Sequence, residues 1–292
     1  MRICLLTADP GHPLLAGAAA LLSPRHRVES LDPHRDDVPA AELLGPGPLA
    51  DVYLLKARTP RALALARHLE ERGAPVVNSA AATAFCQDRT DMAELAHRSG
   101  LPFAATRTAA TVAGLPALDH PSVIKSRHSR RGDLVTRVDD AAGLRALAEA
   151  WPDEPVVAQP YLAGTGWDQK LWVVAGQVFC ARRRSELSEP AGAPDDGGTF
   201  GPRELPADRA ELARRVGEVF GLDVYGVDLL DGPAEPVIVD INAFPGIRGQ
   251  AGAPEALAAL ALRVAREGVE ARQAGGLRLP APRDARRDTA GR

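Results

Sequence analysis

Asp228, Asp240 and Asn242 are the residues of this 292-residue chain whose types and spacing make the clearest chemical statement. They lie in YGVDLLDGPAEPVIVDINAFPG, from Tyr225 to Gly246, which reads as two β-runs hinged at Asp231–Gly232–Pro233, a strong turn signal. Folding there sets Asp228 opposite, or nearly opposite, Asp240, and strand alternation puts Asn242 on the same face. Val227, Leu229, Val239 and Ile241 then point the other way, into a core. Two carboxylates about 5 Å apart on one sheet face repel by roughly 3 kcal/mol at an effective dielectric of 20, unless a cation sits between them. An Asp–Asp–Asn set offers hard oxygen donors, which suit Mg²⁺ or Mn²⁺ and not zinc. The plainer alternative is a pair of solvated carboxylates on an exposed face; the adjacent apolar run and the parity of Asn242 weigh against it.

A second hairpin, GWDQKLWVVAGQVFCARRR, folds about Ala175–Gly176 and pairs Val174 with Gln177. Counting outward, Asp168 faces Arg183, with Lys170, Trp172 and Phe179 on the same face. An acid between two permanent cations makes a nucleotide or phosphate site; an ordinary surface ion pair, worth about 0–1 kcal/mol, is the alternative. Lys125 ends the strand-like run SVIKS and precedes the donor-rich loop SRHSRRGD. That is the placing of a phosphate ligand, or else of a solvated lysine. Of the 35 basic residues only Lys56, Lys125 and Lys170 are lysine. Codon bias explains an arginine excess, and a lysine that survives it is a better candidate for a specific task.

The elements that must position these residues fall into two textures. In the first, strands at Arg2–Thr7, His26–Leu31, Asp51–Leu55 and Pro75–Asn78 alternate with helices at Leu14–Leu22 and Arg61–Arg72, which predicts a parallel α/β sheet. Neither GxGxxG nor GxxxxGK[ST] occurs there, so it carries no dinucleotide or P-loop signal. Residues 79–99 read as helix with a break near Gln87–Arg89, and Leu101–Thr108 as an extended connection. From about Pro121 the pattern turns to hairpins and separate helices, an α+β texture, with a polar Gly/Pro-rich stretch at Glu189–Pro206 and a last helix at Pro254–Gly268. The tail Glu270–Arg292 lacks periodicity and is expected to be disordered.

Composition bounds the rest. A net charge of −3 predicts no strong nucleic-acid field. Three widely spaced cysteines, Cys4, Cys86 and Cys180, argue against a disulfide framework and a Cys-ligated zinc site. The opening MRICLLTADPGH is too quickly polar for a signal peptide, and no apolar run is long enough to span a membrane. A soluble, cytoplasmic protein with no membrane partner is expected.

In this order the pieces resemble the ATP-grasp superfamily, from about Asn78 to Gly268. The nearest branch is the RimK-like amino-acid ligases, with a competing similarity to inositol-phosphate 5/6-kinases. The resemblance implies α/β and α+β architecture: a pre-ATP-grasp α/β domain over 1–87, a lobe with a phosphate lid over 88–157, a lobe with the metal site over 158–269, and the tail over 270–292. It implies ATP and Mg²⁺ (or Mn²⁺) as cofactors. Lys125 matches the lysine on the nucleotide phosphates. Gln159, Pro160, Tyr161 and Leu162 match the segment that holds adenine, largely through backbone groups. Asp168 matches the acid on the nucleoside, Lys170 and Arg183 the catalytic cations around the transferred phosphoryl group, and Asp228, Asp240 and Asn242 the metal ligands. Arg89, in QDRTDM, stands where such ligases usually have a nucleotide-binding lysine. Asp240 replaces a glutamate, and DINAFPG and RRRSEL are kinase-like, whereas GWDQK reads like the ligases. The implied activity is ATP-dependent joining of a carboxylate to an amine through an acyl phosphate. Its partners would be small-molecule or peptide substrates, with the oligomeric state open. The alternatives are a small-molecule kinase with a hydroxyl acceptor and a binding module that keeps ATP affinity without turnover, which the glycine-poor lid and Arg89 permit.

Overall fold

Short apolar strands bounded by glycine, proline and capping residues lay out the described residues as three four-stranded sheets. The computed structural model describes residues 1–35, 44, 47–130, 132–163, 167–185, 187, 205–232 and 235–271, with the backbone alone at Arg183, Arg184 and Ala271. The first sheet is parallel, in the order β2-β1-β3-β4: β1 (Arg2–Leu6), β2 (Arg27–Leu31), β3 (Val52–Leu55) and β4 (Val76–Val77). Helices α1 (Pro13–Leu22) and α2 (Pro60–Glu71) cross between its strands. Thr59 caps α2, accepting from Ala62 N–H at 3.3 Å, and Pro60 opens its first turn, where no N–H is required.

The break expected near Gln87–Arg89 separates α3 (Ala80–Phe85) from α4 (Arg89–Arg98). Asp88 causes it: its carboxylate caps α4, accepting from Thr90 N–H at 2.9 Å, so Arg89 becomes the first helical residue. The second sheet, β5-β8-β6-β7, comprises β5 (Arg107–Ala109), β6 (Ser122–Ser126), β7 (Val135–Val138) and β8 (Val156–Pro160), with α5 (Ala141–Ala150) against it. The stretch 101–108 was expected only as a connection; its end forms edge strand β5, paired with β8 through Arg107↔Ala158.

The third sheet, β10-β9-β11-β12, carries both predicted hairpins: β9 (Trp167–Val174), β10 (Gln177–Arg184), β11 (Val224–Asp231) and β12 (Pro236–Ala243). Ala175 and Gly176 turn the first hairpin with φ of 51° and 80°, the backbone that a two-residue hairpin requires. Helix α6 (Ala207–Phe220) lies so close to β11 that a Cβ on Gly217 would collide with Tyr225, whose hydroxyl donates to Ala213 O at 2.7 Å. Helix α7 (Ala253–Glu267) returns to the first sheet, packing on α1.

The interior is divided unevenly. Ile3, Leu5, Leu54 and Val77 of the first sheet share one core with Val174, Phe179 and Val224 of the third and Leu257 and Leu260 of α7. At about 2 kcal/mol per buried aliphatic side chain, this shared interior is a major source of cohesion between the two sheets. Asn78, fully buried, adds polar fasteners: its Nδ2–H donates to Val224 O at 2.7 Å, and its Oδ1 accepts from Asp223 and Val224 N–H at 2.8 and 2.9 Å. The second sheet keeps a core of its own, built on Val112, Ile124, Leu134 and Val156. Among the described residues no helix is long and apolar enough to cross a membrane. The three cysteines are buried thiols, not joined in disulfides. The tail beyond Ala271 lies outside the described residues, as does the polar stretch from Glu189 to Glu204.

Candidate active site

Strand pairing in the third sheet sets charges in a row. Asp228 of β11 lies between Lys170 of β9 on one side and Asp240 of β12 on the other. The two carboxylates are therefore cross-strand partners, as the alternation predicted. Their repulsion is relieved from the outside: Lys170 Nζ donates to both Asp228 oxygens at 2.8 Å, and Arg89 meets Asp240 Oδ2 at 3.3 Å. Asn242, one alternation beyond Asp240, accepts from Arg58 Nη1–H at 3.4 Å.

The register slips by one residue between Asp228 and Leu229, where Leu229 pairs with Ile238. Val239 is the extra residue, and the bulge changes which side chains face inward. Ile238 takes the core place expected for Val239, while Val239 turns to line a cleft, a correction to the simple alternation. The bulge also frees the Val239 carbonyl, which accepts from Lys125 Nζ at 2.8 Å. Val227, Leu229 and Ile241 are in the core as expected.

That cleft, of about 550 Å³, opens between the second and third sheets. Lys125 of β6, Gln159 and Pro160 of β8, and Tyr161 and Leu162 just beyond it line one side; Asp168, Asp228 and Asp240 line the other. Val123, Val135, Leu187 and Leu230 give it apolar walls. Gln159 Nε2–H donates to Thr106 Oγ1 at 3.2 Å, which anchors this side chain to the segment before β5. Arg89, nearly buried, reaches the cleft through Asp240; it also donates to Ser126 O at 2.8 Å and to Asp133 at 2.7 Å, on either side of the loop after Lys125. Burial pushes the Asp240 carboxyl up, but Arg89, Lys125 and Lys170 together outweigh it and hold it below the usual carboxylate range. Burial likewise pulls the Lys125 ammonium down, only partly offset by Asp240. Arg183 pairs with Asp168 in the ladder as counted, and its side chain lies outside the described residues. Lys170 binds Asp228 rather than completing the expected cation–acid–cation set around Asp168.

A second cavity, of about 390 Å³, lies where the first and third sheets meet and is lined by Lys170 and Asp228 as well as Lys56, Arg58, Trp172 and Asn242. The Asp–Asp–Asn set thus spans two cavities that share Asp228 in their walls. Among the described residues no group of three His, Cys, Asp or Glu side chains gathers as a metal site. The oxygens available to a divalent ion come from two carboxylates and one amide.

The sequence matches the model of the RimK-like ATP-grasp domain over residues 97–256, more than half of the chain. The chain belongs to the RimK-like ATP-grasp family. A curated relative from Aeromonas salmonicida, a probable alpha-L-glutamate ligase, is 26% identical over 195 residues, which cover 64% of this chain and 65% of the relative's length. The fold is similar to that of a RimK-domain ATP-grasp protein from Sphaerobacter thermophilus, with a TM-score of 0.71 and 22% identity over 90% of this chain and 100% of that one. A D-alanine–D-alanine ligase from Bacillus anthracis in complex with ATP gives a TM-score of 0.69 at 16% identity, covering 91% of this chain and 99% of that one.

The ATP-grasp architecture is the mixed α/β and α+β fold expected, with the cleft between two antiparallel lobes and the parallel sheet alongside. Sequence reasoning missed three contributors to the site: Asp133, Arg58 and the Val239 carbonyl. The first two carried no spacing signal of their own, and the third depends on a bulge. Lys56 was singled out by lysine scarcity alone, and all three lysines of this ATP-grasp chain line one cavity or the other.

Proposed function

We propose that the protein is an ATP-dependent carboxylate–amine ligase that binds ATP in the larger cleft and its acid substrate in the smaller cavity. The observation that carries this reading is Asp228, which lines both cavities and is held by Lys170 in the wall of the smaller one, and so stands where a phosphoryl group would pass between them. Units 1–87, 88–157 and 158–269 would supply the acid pocket, the phosphate-covering lobe and the charged sheet. Adenine would lie against the apolar walls, held by backbone groups of Gln159–Leu162, with Asp168 on the ribose. Lys125, now on a carbonyl, and Lys170, now on a carboxylate, would exchange those partners for phosphate oxygens. Arg183 would join them from β10. Arg89, fixed by Asp133 and Asp240, would add positive potential behind the phosphates.

Asp228, Asp240 and Asn242 fit a hard divalent ion, because all offer oxygen and both carboxylates already need positive counter-charge. Bound Mg²⁺ or Mn²⁺ would supply charge neutralisation on the phosphates. The γ-phosphoryl would pass to a carboxylate oxygen of the acid, breaking the bond to ADP and forming an acyl phosphate. The amine would then attack the acyl carbon, release inorganic phosphate, and lose a proton to give the amide. The acid and amine are small molecules or peptide groups in this reading, as the relatives' ligase names support. Incubation with ATP, Mg²⁺, acid pools and hydroxylamine tests it: hydroxamate, ADP and phosphate should form together. A phosphorylated product without free phosphate would instead establish the kinase alternative.

A further inference from the structure

The parallel sheet places an unclaimed set of cations at one end. Its order, β2-β1-β3-β4, means that the chain leaves β1 toward β2 on one side and returns to β3 on the other. A crevice therefore opens beyond the carboxyl ends of β1 and β3, the place where open α/β sheets bind ligands. Lys56 and Arg58 directly follow β3, and both line the smaller cavity. His12 follows β1 and caps α1, accepting from Leu14 N–H through Nδ1 at 3.3 Å. That bond leaves the proton of the neutral ring on Nε2. Nε2 is buried and has no partner, and the residue is only 6% exposed. A Cβ built on Gly246, itself in the cavity wall, would lie 3.5 Å from Nε2, so this donor sits directly behind the wall at the glycine.

Lys56 is equally uncommitted. Its Nζ makes no ion pair or hydrogen bond among the described residues and lies 6.0 Å from the centre of the Phe244 ring. Burial, aided by Arg58 and Arg248, pulls its ammonium down to about 8, with Asp9 opposing. Burial also lowers His12, again with Lys56 and Arg248 contributing. Lys56 and Arg58 thus face one crevice with His12 close behind its wall; Asp9 is the acid felt by Lys56 and His12, and Asp228, held by Lys170, lines the same cavity.

We propose that this crevice is an anion site that holds a second, non-reacting anionic group of the acid substrate, so that the enzyme selects acids carrying two negative groups. The inference rests on the ligase reading. The reacting carboxylate would lie at Lys170, the second anion at Lys56, Arg58 and the His12 Nε2–H, and Trp172 and Pro245 would flank the carbon chain between them. A carboxylate and a phosphonate share the chemistry that these donors recognise, and separate arms of the test distinguish them.

The test uses the full chain with pentanoate, glutarate and 4-phosphonobutanoate. Hydroxamate formation is read in one assay, and thermal stabilisation with ADP and Mg²⁺ present in another. Glutarate, the phosphonate or both should exceed pentanoate by about tenfold or more in kcat/KM, the scale of one charge-assisted hydrogen bond. Lys56→Met should bring that ratio toward one, and Lys56→Arg should restore it. Equal use of mono- and dianionic acids, or a ratio unmoved by Lys56→Met, would overturn the site. If no acid yields hydroxamate, the ligase reading falls. The anion site would then stand on dianion-selective stabilisation lost in Lys56→Met and regained in Lys56→Arg, and it would fall without that pattern.

Discussion

Asp228→Asn separates the metal assignment from simple structural roles. Both Asp228 oxygens hold Lys170, with side-chain exposures of 24% and 22%. A pair this accessible is worth about 1 kcal/mol, so the variant should fold. For a chain of this size 1 kcal/mol corresponds to about 2–4 °C in Tm. Nucleotide at about a hundred times its Kd stabilises by about 2.7 kcal/mol. If the divalent ion tightens the nucleotide by a similar factor, its share of the shift is about 5–10 °C. Thermal shift with a non-hydrolysable ATP analogue, with and without Mg²⁺, reads that share directly. It should vanish in Asp228→Asn, while the Mg²⁺-free shift stays or grows because Lys170 is released toward phosphate. Asp240→Asn should also lose it, and should cost the free protein about 3–5 kcal/mol by leaving Arg89 and Lys125 buried with less counter-charge. A full Mg²⁺ increment in both variants would refute the ligand set.

Asn78→Ala removes the acceptor of the Asp223 and Val224 N–H groups, whereas the Val224 carbonyl keeps Phe244 N–H. Two buried donors left without partners should cost about 2–4 kcal/mol in urea denaturation, and a loss below about 0.5 kcal/mol would contradict the pinning role. Lys56→Met should stabilise the free protein at pH 7. The Lys56 ammonium is depressed to about 8 from 10.5, so its charged form costs stability below pH 8, and the cost fades as pH rises from 8 to 10.5. The ceiling is about 3 kcal/mol, nearer 1–2 after solvent screening. Denaturation at pH 7 and pH 10 should show the gain shrinking with pH, and a constant gain would refute the cause.

Much of the architecture was legible because it follows from period and punctuation. Ala175–Gly176 and Asp231–Gly232 fixed two hairpins, and two-residue alternation then set Asp168 against Arg183 and Asp228 against Asp240. Alternation failed one step later, at Val239, because a bulge is a single-residue choice made by tertiary contacts, here the core place of Ile238 and the reach of Lys125. The neutralisation of the two carboxylates was also hidden. Lys170 lies on the neighbouring strand, in a pairing between hairpins that sequence spacing does not specify, and Arg89 comes from a helix more than a hundred residues upstream. Lys56 and Arg58 were visible only as residue types, since their meeting with β12 requires knowing how the first sheet docks on the third.

That docking decides which part of the molecule can yield. The first and third sheets are fused through a common interior and riveted at Asn78, whereas the second sheet is joined across the cleft by a few polar links such as Lys125 to Val239 and Arg89 to Asp133. Any widening of the larger cleft is therefore expected of the second sheet, with the first and third sheets moving as one. The smaller cavity is lined by residues of those two sheets and the segments next to them, so on the proposed ligase reading its shape, and with it recognition of an acid, should not depend on nucleotide.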